Sequence, residues 1–165
     1  MTIIVETGAV VPSANSYLSL ADAQTFLSAL GLTDPAIDEP AMIRAYYYVN
    51  SFEDKYQGRR ISADQTGSFP RSGVCINGFP LASDSIPVQL IQAQAYAAYY
   101  EAKSPGITQQ NGNGSTVTHE EVTGAVAVDY ADNGISSSAF NIGAVDALLG
   151  QLFGGFNAFN RVIRI

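Results

Sequence analysis

From Pro87 to Lys103 the chain reads as helix more clearly than anywhere else. Proline suits the first turn of a helix, where its missing N–H has no partner to lose. Behind it, Val88, Ile91, Ala95, Ala98, Tyr99 and Ala102 recur at the spacing that places them on one face. Ser85 stands where a side-chain cap is expected. Ala93, Ala95, Ala97 and Ala98 add little bulk, so a neighbouring helix can approach closely.

Two further helices are expected before this one. Ser19 with Asp22 three residues on has the form of a capping box. Leu20, Ala23, Phe26, Leu27 and Leu30 then keep helical spacing until Gly31. The next helix starts near Pro40, after Asp38 and Glu39. Its stripe is Met42, Ile43, Tyr46, Tyr47, Val49, Asn50 and Phe52, running on towards Tyr56, with a break at Gly58. Of the tyrosine triplet, Tyr46 and Tyr47 are expected in the core and Tyr48 towards a neighbour, because successive helical residues point about 100° apart. Val145, Leu148, Leu149 and Leu152 predict a short fourth helix over 144–152.

The remaining segments are not helical. Thr2–Val5 is a strand candidate, followed by an extended or looping arm to residue 17. Residues 59–84, with three Gly and two Pro, read as an ordered loop. Residues 104–115 are low-complexity. Thr116–Val122 and Ala125–Tyr130 predict a hairpin around Thr123–Gly124. Thr opens a two-residue type I′ turn poorly, so a longer loop and another register stay open. In the simple register Val117, His119, Val126, Val128 and Tyr130 share a face. The expectation is a mainly helical α+β fold of three to four helices, with a protruding β-hairpin and extended arms at both ends. Its parts are the arm 1–17, a helical core 18–103, loop and hairpin 104–130, a short helix 144–152 and a tail 156–165.

Composition narrows function. The 165 residues carry 15 acids and 8 Lys or Arg, a formal charge of -7. Nucleic-acid binders draw most of their affinity from basic groups, so this balance argues against one. Charged residues are only 14% of the chain, a depletion that suits a large interface in an assembly. Cys75 is the only cysteine and His119 the only histidine, so neither a disulfide nor a four-ligand zinc site can form within the chain. No calcium loop and no phosphate-binding glycine motif is present. We therefore expect no enzyme activity and no cofactor. A basic n-region is lacking, and so is an apolar run of the roughly 18 residues that a membrane span requires. Neither a signal peptide nor a membrane segment is expected.

Half of the positive charge, Lys55, Arg59, Arg60 and Arg71, falls near Tyr56 and Phe69. Basic groups among aromatics can hold single-stranded DNA by stacking and phosphate neutralisation. Arginine forks also bind carboxylates well, and acids outnumber bases here. The expectation is a basic cluster that bridges to a neighbouring subunit. The tail Phe156, Phe159, Arg161, Val162, Ile163, Arg164 and Ile165 follows Gly154–Gly155 and contains no acid. It reads either as a last strand of its own sheet or as an arm that docks on a partner by strand addition or groove insertion.

Four segments in order carry a family resemblance. They are Asn15–Ser16–Tyr17–Leu18–Ser19–Leu20–Ala21–Asp22–Ala23, then Phe69–Pro70–Arg71–Ser72–Gly73–Val74, then Ser85–Ile86–Pro87, then Glu121–Val122–Thr123–Gly124–Ala125–Val126–Ala127–Val128–Asp129–Tyr130. They span most of the chain. The chain resembles a family of tailed-phage proteins labelled DnaT-like and single-stranded-DNA-binding, whose members look like head–tail connector, or adaptor, proteins. The resemblance implies a ring, dodecameric in related connectors, between the portal protein and the next neck or tail-completion protein. It implies a place in the virion neck after assembly in the host cytoplasm, with double-stranded DNA passing through. On that reading the tail anchors to portal, and Glu120, Glu121 and Asp129 line the lumen, where acidic groups repel phosphate. The family label itself implies the competing function, a single-stranded-DNA-binding module.

Overall fold

The computed structural model describes residues 2–106, 119–122, 126–129 and 142–154. Within them lie four helices: α1 (Leu20–Ala29), α2 (Glu39–Asn50), α3 (Val88–Lys103) and α4 (Gly143–Leu149). Three antiparallel strand pairs complete the set. They are β1 (Arg59–Arg60) with β2 (Arg71–Ser72), β3 (Cys75–Ile76) with β4 (Phe79–Pro80), and β5 (His119–Val122) with β6 (Val126–Asp129). The fold is α+β with a helical core.

The alanine-rich α3 is the centre of the core and packs against α1, α2 and α4. Because neighbours surround it, burial extends well past one apolar stripe. Leu90, Ala93, Gln94, Ala97, Ala98 and Glu101 are all buried, while Val88, placed on the core face by its spacing, is 55% exposed. Gln94 is matched on every side. Its Oε1 accepts the Tyr17 N–H at 2.8 Å, and its Nε2 donates to Ser16 Oγ at 2.9 Å and to the Met42 carbonyl at 3.0 Å. One side chain thus ties the N-terminal segment and α2 to α3. Glu101 accepts from Arg44 of α2 and from the Gly106 N–H.

Helix ends follow local chemistry. Ser19 accepts the Asp22 N–H, the expected cap of α1, and Asp38 caps α2 by accepting the Ala41 N–H at 2.8 Å. Gly31, at φ 74°, closes α1 in a Schellman motif. There Leu32 N–H bonds the Leu27 carbonyl and Gly31 N–H the Ser28 carbonyl. Ser85 does not cap α3: its hydroxyl bonds the Ala82 carbonyl, and Pro87 occupies the cap position.

Of the two forms expected for the N-terminal segment, extended or looping, it takes the looping one. It doubles back, with a parallel bridge between Val5 and Ser16. The buried Glu6 carboxylate organises the bend by accepting N–H bonds from Gly8, Val10 and Val11. Gly8 is in van der Waals contact with the backbone of Asp84, where any side chain would collide.

Residues 59–84 are ordered, as expected, but contain two strand pairs that the loop reading passed over. Asn77 and Gly78 lie at φ 53° and 85°, the pattern of a two-residue type I′ hairpin between β3 and β4. The later hairpin has the longer loop left open above. Val122 pairs with Val126 and His119 with Asp129, so three residues form the loop. The simple register, which set His119 opposite Val128, is therefore off by one residue.

Tyr46 is buried, but Tyr47 is 63% exposed and does not join the core; Tyr48 is half-buried, edge-on to Phe52. The helix phase set by Met42, Ala45, Tyr46 and Val49 turns Tyr47 outward. Leu30 is likewise 46% exposed. The tail 156–165 and the residues between 106 and 119 lie outside the described residues.

The basic cluster and its surroundings

After α2 the chain makes a short turn at Glu53–Lys55, then the β1–β2 pair, in which Arg60 lies opposite Arg71. The geometry brings Lys55, Arg60 and Arg71 to one region, but two of them find their partners inside the chain. Arg60 forks its Nε and Nη2 onto both carboxylate oxygens of Glu53, and its Nη1 reaches the Gln65 carbonyl at 3.0 Å. Arg71 is 6% exposed. Its guanidinium donates to the carbonyls of Gln57 (2.8 Å), Gly58 (2.9 Å) and Ser68 (3.3 Å) and lies 3.5 Å from Glu53. The bridging role across subunits expected of the cluster is thus not needed to satisfy Arg60 or Arg71. Fixed, planar guanidinium donors suit this loop because its carbonyls have few strand partners of their own.

Lys55 lies 5.1 Å from the centre of the Phe52 ring and 6.0 Å from that of Phe153. Arg59 is exposed, with no carboxylate against it among the described residues. The Arg60 hydrogen bond holds the Glu53 carboxyl below the usual carboxylate range, and Glu53 in turn raises Arg60. A lowered carboxylate pKa contributes stability above the unfolded value, lost as pH falls through the folded one. The Glu53 fork therefore loosens only in acid.

Beside the cluster a polar knot holds the Phe69–Val74 segment. The Tyr17 hydroxyl donates to Asn50 Oδ1 at 2.6 Å and accepts the Phe69 N–H at 3.2 Å; Ser68 N–H shares the same Oδ1. Burial pushes the Tyr46 phenol up to about 12 and Tyr17 well above its ordinary value. Gly67 faces both phenol oxygens, which leave no room for a Cβ. Two of the four segments that carry the resemblance therefore meet, Tyr17 bonding Phe69 directly, and Tyr17 also bonds Gln94 of α3, the helix that follows Ser85–Ile86–Pro87. They are signatures of the fold. The fourth coincides with β5–β6, whose side chains, Glu120, Glu121 and Asp129 included, lie outside the described residues.

On α4, Asp146 has a buried Oδ2 with no hydrogen-bond partner among the described residues. Burial raises its pKa, with Lys55 pulling the other way. A raised carboxyl favours folding below its unfolded pKa and opposes it as pH rises through the folded value. Asp146→Asn should therefore raise the melting temperature at neutral pH, with the gain fading as pH falls through the raised folded value and gone by about pH 4, the ordinary carboxyl range. Thermal melts of both proteins across pH test this; an equal gain at all pH values would rule out titration as the cause.

Among the described residues no His, Cys, Asp and Glu group is arranged to hold a metal. No described helix is long and apolar enough to cross a membrane. Comparison with curated proteins and with solved structures returned no match. A family match covers residues 1–165. With that whole-length match, the chain belongs to the family described as "Putative DnaT-like ssDNA binding protein".

Proposed function

We propose that this chain is a structural adaptor: a head–tail connector that assembles between a portal protein and the next neck component and lets double-stranded DNA pass. The observation that carries this reading is the inward commitment of the arginines. Arg60 and Arg71, the centre of the basic cluster, are engaged by Glu53 and backbone carbonyls, and Arg71 is buried away from phosphate. A charge of -7 per copy further disfavours a polyanion partner and suits a channel that DNA must slide through. The order and spread of the four resembling segments support the connector class.

The test is sedimentation of the purified chain with its cognate portal at micromolar concentrations. The adaptor reading expects a stoichiometric complex; two separate boundaries would overturn it.

A single-stranded-DNA-binding module is the second reading, and the family's description favours it. Exposed Arg59 and Tyr47 supply one cation and one ring for it. Its signature is oligonucleotide affinity that falls steeply with salt.

A further inference from the structure

The β3–β4 hairpin holds a large apolar side chain in water. Phe79 is 76% exposed beside the Asn77–Gly78 turn. The hairpin is fixed at its base, where Leu81 N–H bonds the Val74 carbonyl at 2.8 Å and Cys75 N–H bonds Gln57 Oε1 at 3.1 Å. Leaving a phenylalanine exposed forgoes the free energy that its burial would supply.

Elsewhere a surface pocket of about 210 Å³ opens between the end of α1 and the loop to α2. Leu27, Leu32, Ala36 and Ile37 form its apolar lining. The pocket is pre-formed: the Schellman motif sets Leu32 against Leu27, Tyr99 bonds the Asp34 carbonyl, and Gln24 bonds the Ile37 carbonyl. An apolar cavity of about 150 Å³ suffices for a benzene ring, so a phenylalanine side chain fits this one.

Charge matches as well as size. Asp34 and Asp38 are exposed on the pocket's loop, Glu39 follows, and residues 1–43 contain no Lys or Arg. The hairpin is joined through Gln57 to the turn and strand that carry exposed Lys55 and Arg59.

We propose that Phe79 of one copy inserts into the Leu27–Leu32–Ile37 pocket of the next copy, with Arg59 and Lys55 set towards Asp34 and Asp38. Knob and pocket are different surfaces, so the contact is heterologous and repeats from copy to copy, closing into a ring or growing as a filament. This inference rests on the adaptor reading and names its self-contact.

Sedimentation velocity of the full chain, from micromolar to submillimolar concentration, tests it. Wild type is expected to associate with increasing concentration. Phe79→Ala should weaken association by about tenfold or more, the equivalent of the lost apolar burial. Ala36→Trp, which fills the pocket, should do the same, and both variants should melt like wild type because both positions are exposed. In a Cys75→Ala background, mixed Phe79→Cys and Ala36→Cys chains should form a disulfide-linked dimer under oxidised glutathione far faster than either alone. A wild type that stays monomeric throughout, or a Phe79→Ala chain that associates normally, overturns the contact. Monomeric behaviour together with portal binding would remove this contact and leave the adaptor reading standing; self-association without portal binding would do the reverse.

Discussion

Replacing Gln94 by leucine should cost about 1–3 kcal/mol of stability, because a buried polar group left without a partner costs about that much. The Tyr17 N–H would be orphaned, while the Met42 carbonyl, inside α2, and the Ser16 hydroxyl would each lose one of their bonds. Ser16 keeps its bonds to the carbonyl and N–H of Leu18. Domains are stable by roughly 5–15 kcal/mol in total, so the loss is a sizeable fraction of the whole. For a chain of this size the melting temperature should drop by roughly 5 °C. Gln89→Leu on the same helix is the control. Gln89 is half-buried and its amide makes only a 3.4 Å contact to Gln151, so the change should stay within about 0.5 kcal/mol. Urea unfolding of the two variants measures the contrast. Equal midpoints would mean that Gln94 is not the tie between the N-terminal segment, α2 and α3.

Arg71→Met should be the second large loss, about 3 kcal/mol or more, since removing one member of a buried charged network strands the rest. The stranded groups are the carbonyls of Gln57, Gly58 and Ser68, with Glu53 losing one of its two cations. Arg59→Glu, four residues from the turn and exposed, should change stability by no more than about 0.5 kcal/mol. Thermal melts of the isolated chain separate the two. If Arg71→Met melts with wild type and alters only assembly, Arg71 belongs to an interface, as its sequence position alone suggested.

The parts of the fold set by short-range chemistry were legible in the sequence. Ser19, Asp38 and Gly31 each do what their residue type does at a helix end. What failed was rotation and partnership. The apolar stripe of α3 was read as one face, but a helix enclosed by α1, α2 and α4 also buries its Leu90, Gln94 and Glu101 edge. Polar residues read as surface unless their partners are known, and the partners of Gln94 lie 52 to 78 positions away. Clustering of Arg60 and Arg71 was visible, but backbone carbonyls leave no trace in a sequence pattern, so the arginines looked available when they are engaged. The Asn77–Gly78 hairpin is a different case: the dipeptide between Ile76 and Phe79 is a strong turn signal that glycine- and proline-rich surroundings obscured. Phe79 and the pocket formed by Leu27, Leu32 and Ile37 were missed with it, because a pocket depends on how α1 and its following loop meet.

Fluorescence anisotropy tests most directly the proposal that the described cationic groups serve the fold and protein contacts and not a nucleic acid. A labelled oligothymidine is titrated with the full chain at low salt, where phosphate contacts are strongest. The account predicts no saturable binding through the micromolar range, for wild type and Arg59→Glu alike. Saturable binding that weakens with salt by a log–log slope of about 0.7 per phosphate neutralised, and that Arg59→Glu abolishes, would contradict it.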